Sequence, residues 1–250
     1  MKRIGIVPVS EGAGAGFVTV MLATELAALR GFGGNSSCSG AGITVVELGR
    51  GNLFEQLCAD RWFRVRQMVS YWNCLHGEGQ VERILNPRCG VNWLLRTPMD
   101  QLCGMEGKNP EELERGRAVK LLYSLPGDVA FVDFSSVNEA DLMYLLEDMD
   151  QVVAVMDPMP SKILGGYERL YRLKLWNKPV TWVVNRWDPR IDGKDLKKVL
   201  GNERKWIALP EIPRGLIYQS EYAGWGIAEH QQIRRLIAPG AEELIQRLGV

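Results

Sequence analysis

The sequence predicts an α/β protein of three layers, a mostly parallel central sheet between two layers of helices. Three observations lead there. Short β-rich runs near residues 4–9, 43–48, 91–95, 129–133, 152–156, 180–184 and 206–209 alternate with helical segments. The better runs are apolar at nearly every position, the mark of parallel strands covered on both faces. The first run passes directly into a glycine turn and then an apolar helix.

The elements follow in chain order. Ile4 to Val9 is a buried strand, Gly12, Gly14 and Gly16 make the turn, and Phe17 to Leu29 is a helix with Leu22, Ala23, Leu26, Ala27 and Leu29 at helical spacing. Phe32 to Gly42 is a polar, glycine-rich loop placed to serve as surface slack or a lid. Ile43 to Leu48 is the second strand. Asn52 can cap a helical region from Leu53 to Leu75, where Phe54, Leu57, Trp62, Phe63, Met68 and Trp72 are interleaved with Arg61, Arg64 and Arg66. Gly90 to Pro98 is a strand and turn. Asn109-Pro110 opens a helix with acids at its positive end, and Pro126-Gly127 stops it. Asp128 to Ser136 contains a strand ending in Asp133, and Glu139 to Asp148 is a helix. Gln151 to Met156 is a strand, followed by a proline-rich turn, Ser161 as a cap and a helix from Lys162 to Leu175. Lys178 to Trp187 holds the next strand, with Asn185 at its end. Leu196 to Leu200 is a short helix. Lys205 to Pro210 is a strand that Glu211 to Tyr218 extends, and Pro239-Gly240 leads into a last helix, Ala241 to Leu248. There is no long linker and no internal repeat, so residues 1–250 read as one domain.

A strand, a glycine turn and a helix N-terminus together aim backbone N–H groups at an anion such as a phosphate. The turn has that shape without the matching side chains. A loop of the G-x-x-x-x-G-K-[ST] kind uses a lysine on the outer phosphates and a hydroxyl on magnesium. Here Phe17 and Val18 follow Gly16, and Thr19 comes one place too late.

On these residues the N-terminus resembles the MinD/ParA family of deviant Walker-A ATPases, whose loop reads K-G-G-x-G-K-[ST]-T. The family's signature lysine falls on Gly12, its glycines on Ala13, Gly14 and Gly16, and its variable position on Ala15. Its universal lysine falls on Phe17, its metal-binding hydroxyl on Val18 and its next threonine on Thr19. The resemblance implies a P-loop NTPase-like sheet with the nucleotide at the carboxyl ends of the strands. It implies further site residues there: Asp133 as the aspartate that orients magnesium, Glu47 at the first place of a D-x-D pair, Asn185 on the adenine edge and Pro210 beside the base. ATP or ADP with Mg is the implied cofactor, Asp133 and Glu47 the candidate metal residues, and Asp133 the catalytic candidate.

Composition bounds the alternatives. Lys plus Arg and Asp plus Glu each total 30, so no net positive charge favours nucleic acid. No apolar run approaches the roughly 18 residues of a membrane span. The Cys residues at 38, 58, 74, 89 and 103 form no CxxC pair and read as free thiols of a cytoplasmic protein. Two histidines leave little for a zinc site.

The charges nearest the loop, Glu11 and Glu47, are negative, which opposes a triphosphate. The expectation is a degenerate, catalytically inactive relative of the family, a cytoplasmic scaffold or regulatory partner with a protein partner and a homodimer through the face of the lost site. The alternatives are an active ATPase that positions cell-division, plasmid or pilus machinery, and an adaptor that binds anionic lipid or DNA through the Arg61–Trp72 stretch.

Overall fold

The computed structural model describes residues 1–32, 42–49, 52–62, 70–75, 87–97, 111–201, 205–224, 226 and 229–250. Among the described residues its centre is an eight-stranded sheet. The strands are β1 (Lys2–Pro8), β2 (Ile43–Glu47), β3 (Pro87–Arg88), β4 (Val91–Leu94), β5 (Val129–Asp133), β6 (Gln151–Met156), β7 (Val180–Trp187) and β8 (Trp206–Pro210). Their order is β3-β4-β2-β5-β1-β6-β7-β8, and every pairing is parallel except β3 with β4. The predicted mostly parallel three-layer sheet is therefore observed, with the two-residue β3 as an unforeseen addition.

The described helices are α1 (Ala15–Leu29), α2 (Leu53–Gln56), α3 (Ala59–Trp62), α4 (Tyr71–Leu75), α5 (Glu111–Ser124), α6 (Glu139–Leu146), α7 (Pro160–Gly165), α8 (Tyr167–Lys174), α9 (Gly193–Leu200), α10 (Arg214–Ala223) and α11 (Gln231–Leu248). Strand side chains alternate between two apolar layers. Ile4, Ile6, Val45, Phe131, Val155 and Ile207 face a layer built with α1, α2 and α11. Val7, Val46, Val132, Ala154 and Val184 face the opposite layer, built with α4, α5, α6, α8 and α9. Both layers are fully covered, which is why the strands read as unbroken apolar runs.

Four boundaries differ from the sequence expectation. Glu211 to Tyr218 does not extend β8: Arg214 onward is helical, and α10 ends at Gly224 in the left-handed region at φ 69°. The last helix begins at Gln231 and continues through Pro239, because buried Ile233, Ile237, Ala241, Leu244 and Leu248 keep one apolar stripe on both sides of it. The expected helix 162–175 is two helices, α7 and α8, hinged at Gly166, and Met159 rather than Ser161 stands at the N-cap with Pro160 behind it. In the 53–75 region Cys58, at φ 47°, separates α2 from α3. Residues 33–41 of the expected lid loop, Phe63, Arg64, Arg66, Met68 and the Asn109-Pro110 helix start lie outside the described residues.

Candidate functional site

The parallel register brings the predicted residues to one edge. Glu47 at the end of β2 pairs in register with Asp133 at the end of β5, and Asp133 pairs with Ile6 of β1. The glycine turn leaves β1 directly above them. On the other side, Asp157 directly follows β6, Asn185 lies in β7, and Pro210 ends β8 in register with Trp187. Three strand steps of about 4.8 Å each separate β1 from β8, so Pro210 lies at the far flank of this edge.

The turn is held from several directions. Gly12 and Gly14 take φ 75° and 90°, left-handed values that favour glycine. Ala13 N–H donates to the Ser10 carbonyl at 3.2 Å, and Val18 N–H to the Gly14 carbonyl at 3.1 Å, which starts α1. Asn185 reaches the loop from β7: its Nδ2 donates to the Ala13 carbonyl at 3.0 Å. A Cβ at Gly14 would lie 2.2 Å from that nitrogen. Lys162, at the start of α7, donates from Nζ to the Glu11 carbonyl at 3.0 Å. Gly16 packs closely against Leu53 and Gln56 of α2: a Cβ there would lie 3.1 Å from Leu53 Cδ2 and 3.3 Å from Gln56 Nε2.

The side chains that follow belong to the core. Ala13, Ala15 and Val18 are buried in the layer under α1, and Phe17 packs against that layer. Thr19 is buried and its Oγ1 donates back to the Ala15 carbonyl at 3.0 Å. Neither position 17 nor position 18 offers a charge or a hydroxyl to the loop.

The two acids serve different local purposes. Glu47 Oε1 accepts from Leu53 N–H at 2.8 Å and Oε2 from Arg96 N–H at 3.0 Å, so one buried carboxyl ties the start of α2 to the chain after β4. Burial pushes its pKa up to about 8; the backbone donors pull the other way, and Asp133 adds to the rise. Asp133 Oδ1 accepts from the Ser135 N–H at 3.1 Å and from its hydroxyl at 2.5 Å. Burial raises Asp133 to about 6 against those donors. Its Oδ2 is buried and has no partner among the described residues.

A magnesium ion of the expected kind wants near-octahedral oxygen ligands from carboxylate, hydroxyl, phosphate and water. On this edge the described residues give one unengaged carboxylate oxygen, Asp133 Oδ2, and position 18, where the ion needs a hydroxyl, is a buried valine. Among the described residues no group of His, Cys, Asp and Glu is arranged to hold a metal. The donor set does not fit the ion, and no step is assigned to it.

Sequence reasoning missed Lys162. The topology places it: β6 neighbours β1, so the helix after β6 starts beside the turn after β1. Two further bases share this flank, both tied locally. Arg169 donates to the Pro8 carbonyl at 2.9 Å and pairs with Glu139 at 2.7 Å, while Arg186, at φ 57°, pairs with Asp157 at 2.8 Å. Of the proposed basic and aromatic adaptor surface, Arg61 lies against Gly224 at the end of α10. No described helix is long and apolar enough to cross a membrane.

No family model matches the sequence, and no curated protein matches it. Solved structures do. The MinC:MinD cell division protein complex of Aquifex aeolicus matches with a TM-score of 0.71 and 17% identity over 98% of this chain and 96% of that one. MinD of Pyrococcus horikoshii complexed with Mg-ADP matches at 0.66 and 18%, over 97% and 95%. A ParA family ATPase from Chlorobium tepidum matches at 0.68 and 17%, over 97% and 98%. The likeness spans the whole sheet and both helical layers: this chain has the fold of the MinD and ParA ATPases.

Proposed function

We propose that this chain is a MinD/ParA-type protein of positioning or partition machinery that works through its surfaces, on a phosphate loop that has lost the side chains of hydrolysis. One observation carries the reading. At the two positions after the last loop glycine, where phosphoryl transfer calls for a cation and a metal-binding hydroxyl, Phe17 and Val18 pack into the core. Electrostatic stabilisation of the transferred phosphate is the main catalytic resource of such a loop, and these residues supply none. The engaged Nδ2 of Asn185 fits the same reading, since one of its two amide donors is committed to the Ala13 carbonyl and holds the side chain on the loop. A protein partner, a homodimer through the loop edge and a cytoplasmic setting belong to this proposal.

A specific observation favours a second reading, an active ATPase of the same machinery. Lys162 brings an ammonium to the loop from a different element and holds it 3.7 Å from where a Cβ of Gly12 would stand. Calorimetric titration of nucleotide-free protein with ATP and ADP, with and without magnesium, separates the two. The surface reading expects no binding at millimolar nucleotide. Micromolar, magnesium-dependent binding that Lys162→Met abolishes would overturn it in favour of the ATPase.

A further inference from the structure

The outer face of α7 and α8 carries an apolar stripe open to solvent. Five of the twelve large apolar side chains exposed among the described residues lie between residues 159 and 175: Met159, Leu164, Tyr167, Tyr171 and Leu175, the last four at 74%, 59%, 53% and 67% exposure. We propose that this stripe docks an amphipathic helix of a protein partner, with the apolar face of that helix on the stripe and acidic side chains on its flanks. This rests on the reading that the chain works through its surfaces, and names the class of partner.

Three observations support this occupant. The first is pattern. Leu170 and Leu173 hold α8 on the core, while Tyr167, Tyr171 and Leu175, in steps of four residues, run along the opposite face. Single exposed apolar residues are ordinary; a row of them at helical spacing is the surface that a second helix reads. The second is α7 itself, in which no residue is buried. A short helix without a buried face lacks the tertiary packing that stabilises most helices, and an apolar partner face supplies it. Gly165, whose Cβ would meet nothing within 4 Å, leaves open space beside Leu164 for a partner side chain.

The third is charge. Among the described residues Lys162 on α7, Lys178 after α8, and Lys194 and Lys197 on α9 have no ion pair; Lys162 and Lys178 donate to main-chain carbonyls. α9 lies against α8, where Lys174 Nζ donates to the Val199 carbonyl at 2.7 Å. Glu168 pairs with Arg172, Glu139 with Arg169 and Arg172, and Asp195 with Lys198. Glu147 after α6 and Asp192 before α9 are the acids of this flank without an ion pair among the described residues, so the surplus is positive and selects acidic flanks on the partner. A second copy of the chain would set the same surplus against itself. Glu168, between Tyr167 and the following turn and with its side chain 78% exposed, opposes an anionic lipid surface.

The test is fluorescence anisotropy of a labelled helical peptide titrated with the full chain. The peptide has about 18 residues, five turns, with Leu three and four apart on one face and Glu on either side of them. Saturable one-to-one binding is expected, weaker for the peptide with Lys in place of Glu and lost for a scramble of the same composition. Leu164→Gln and Tyr171→Gln should each weaken binding about tenfold. Both side chains are exposed, so both variants should keep the Tm of the parent, which separates lost docking from lost folding. Lys194→Gln combined with Lys197→Gln should weaken binding about fivefold at low salt and flatten its fall with added salt. No saturation at about 1 mM, or equal affinity in the parent and the two stripe variants, overturns the site. Equal affinity for the acidic and basic peptides overturns the charge assignment. Self-association in sedimentation that Leu164→Gln abolishes overturns the partner helix in favour of a second copy, and binding to phosphatidylserine-containing vesicles in place of the peptide overturns it in favour of lipid. The nucleotide titration above reads the loop alone, so the failure of either result leaves the other distinguishable.

Discussion

Glu47 and Asp133 stand side by side in register, both buried, both with raised pKa values of about 8 and about 6. A carboxyl raised on folding binds its proton more tightly in the native state than in the unfolded one. Its contribution is therefore complete below the unfolded value near 4.5 for Glu47 and is lost as pH rises through about 8. Thermal unfolding should show a Tm that falls between about pH 4.5 and about pH 8, with Glu47→Gln flatter over that window because its amide does not titrate. The variant should also start lower in acid, since its NH2 group can no longer accept from one of the two backbone donors. Parallel profiles for parent and variant would rule out Glu47 as the titrating group. At this scale the sequence displayed chemistry by type and position but not by partner. The missing lysine and hydroxyl at Phe17 and Val18 were legible directly. The clasp of Glu47 on Leu53 and Arg96, and the bond from Asn185 to Ala13 across 172 positions, depend on long-range packing that spacing does not encode.

Adjacent glycines make the sharpest case at the scale of elements. Gly166 is the hinge between α7 and α8, and a Cβ there would lie 2.3 Å from the Val9 carbonyl. Gly165, one residue earlier, has nothing within 4 Å of its Cβ position. Gly166→Ala should therefore destabilise by roughly 2 kcal/mol or more through forced displacement of backbone. Gly165→Ala should stabilise by about 0.5 kcal/mol by restricting the unfolded chain. Chemical denaturation of the two variants measures both signs, and a common sign would refute the assigned close approach. The same hinge explains why one periodic apolar run in the sequence became two helices: Leu170 and Leu173 stay buried in α8, while Leu164 in α7 is 74% exposed. Periodicity also misled at Pro239, read as a helix start because proline loses a donor and crowds the preceding turn. The apolar stripe from Ile233 to Leu248 outweighs that local cost, and Gly240 beside it lets α11 come close to Leu209 of β8.

Across the whole molecule, the fold was legible because two-sided burial leaves a plain signature. Val152 to Met156 and Ile43 to Val46 are buried at every position, with alternate residues committed to opposite layers. The strand order was beyond reach of pattern alone; it follows from which crossovers pack, and it decides that Lys162 rather than an arginine meets the glycine turn. The same alternation has a mechanical consequence. Each central strand contributes to both layers, so neither layer can melt while the other keeps its sheet. Leu22 in α1 and Leu142 in α6 are both fully buried, on opposite sides of the sheet. Leu22→Ala and Leu142→Ala should each cost about 2–5 kcal/mol. Each should move one shared unfolding transition, followed alike by far-UV circular dichroism and tryptophan fluorescence, rather than split it. Two transitions of which each variant shifts only one would mean that the layers unfold separately and that residues 1–250 do not behave as one cooperative domain.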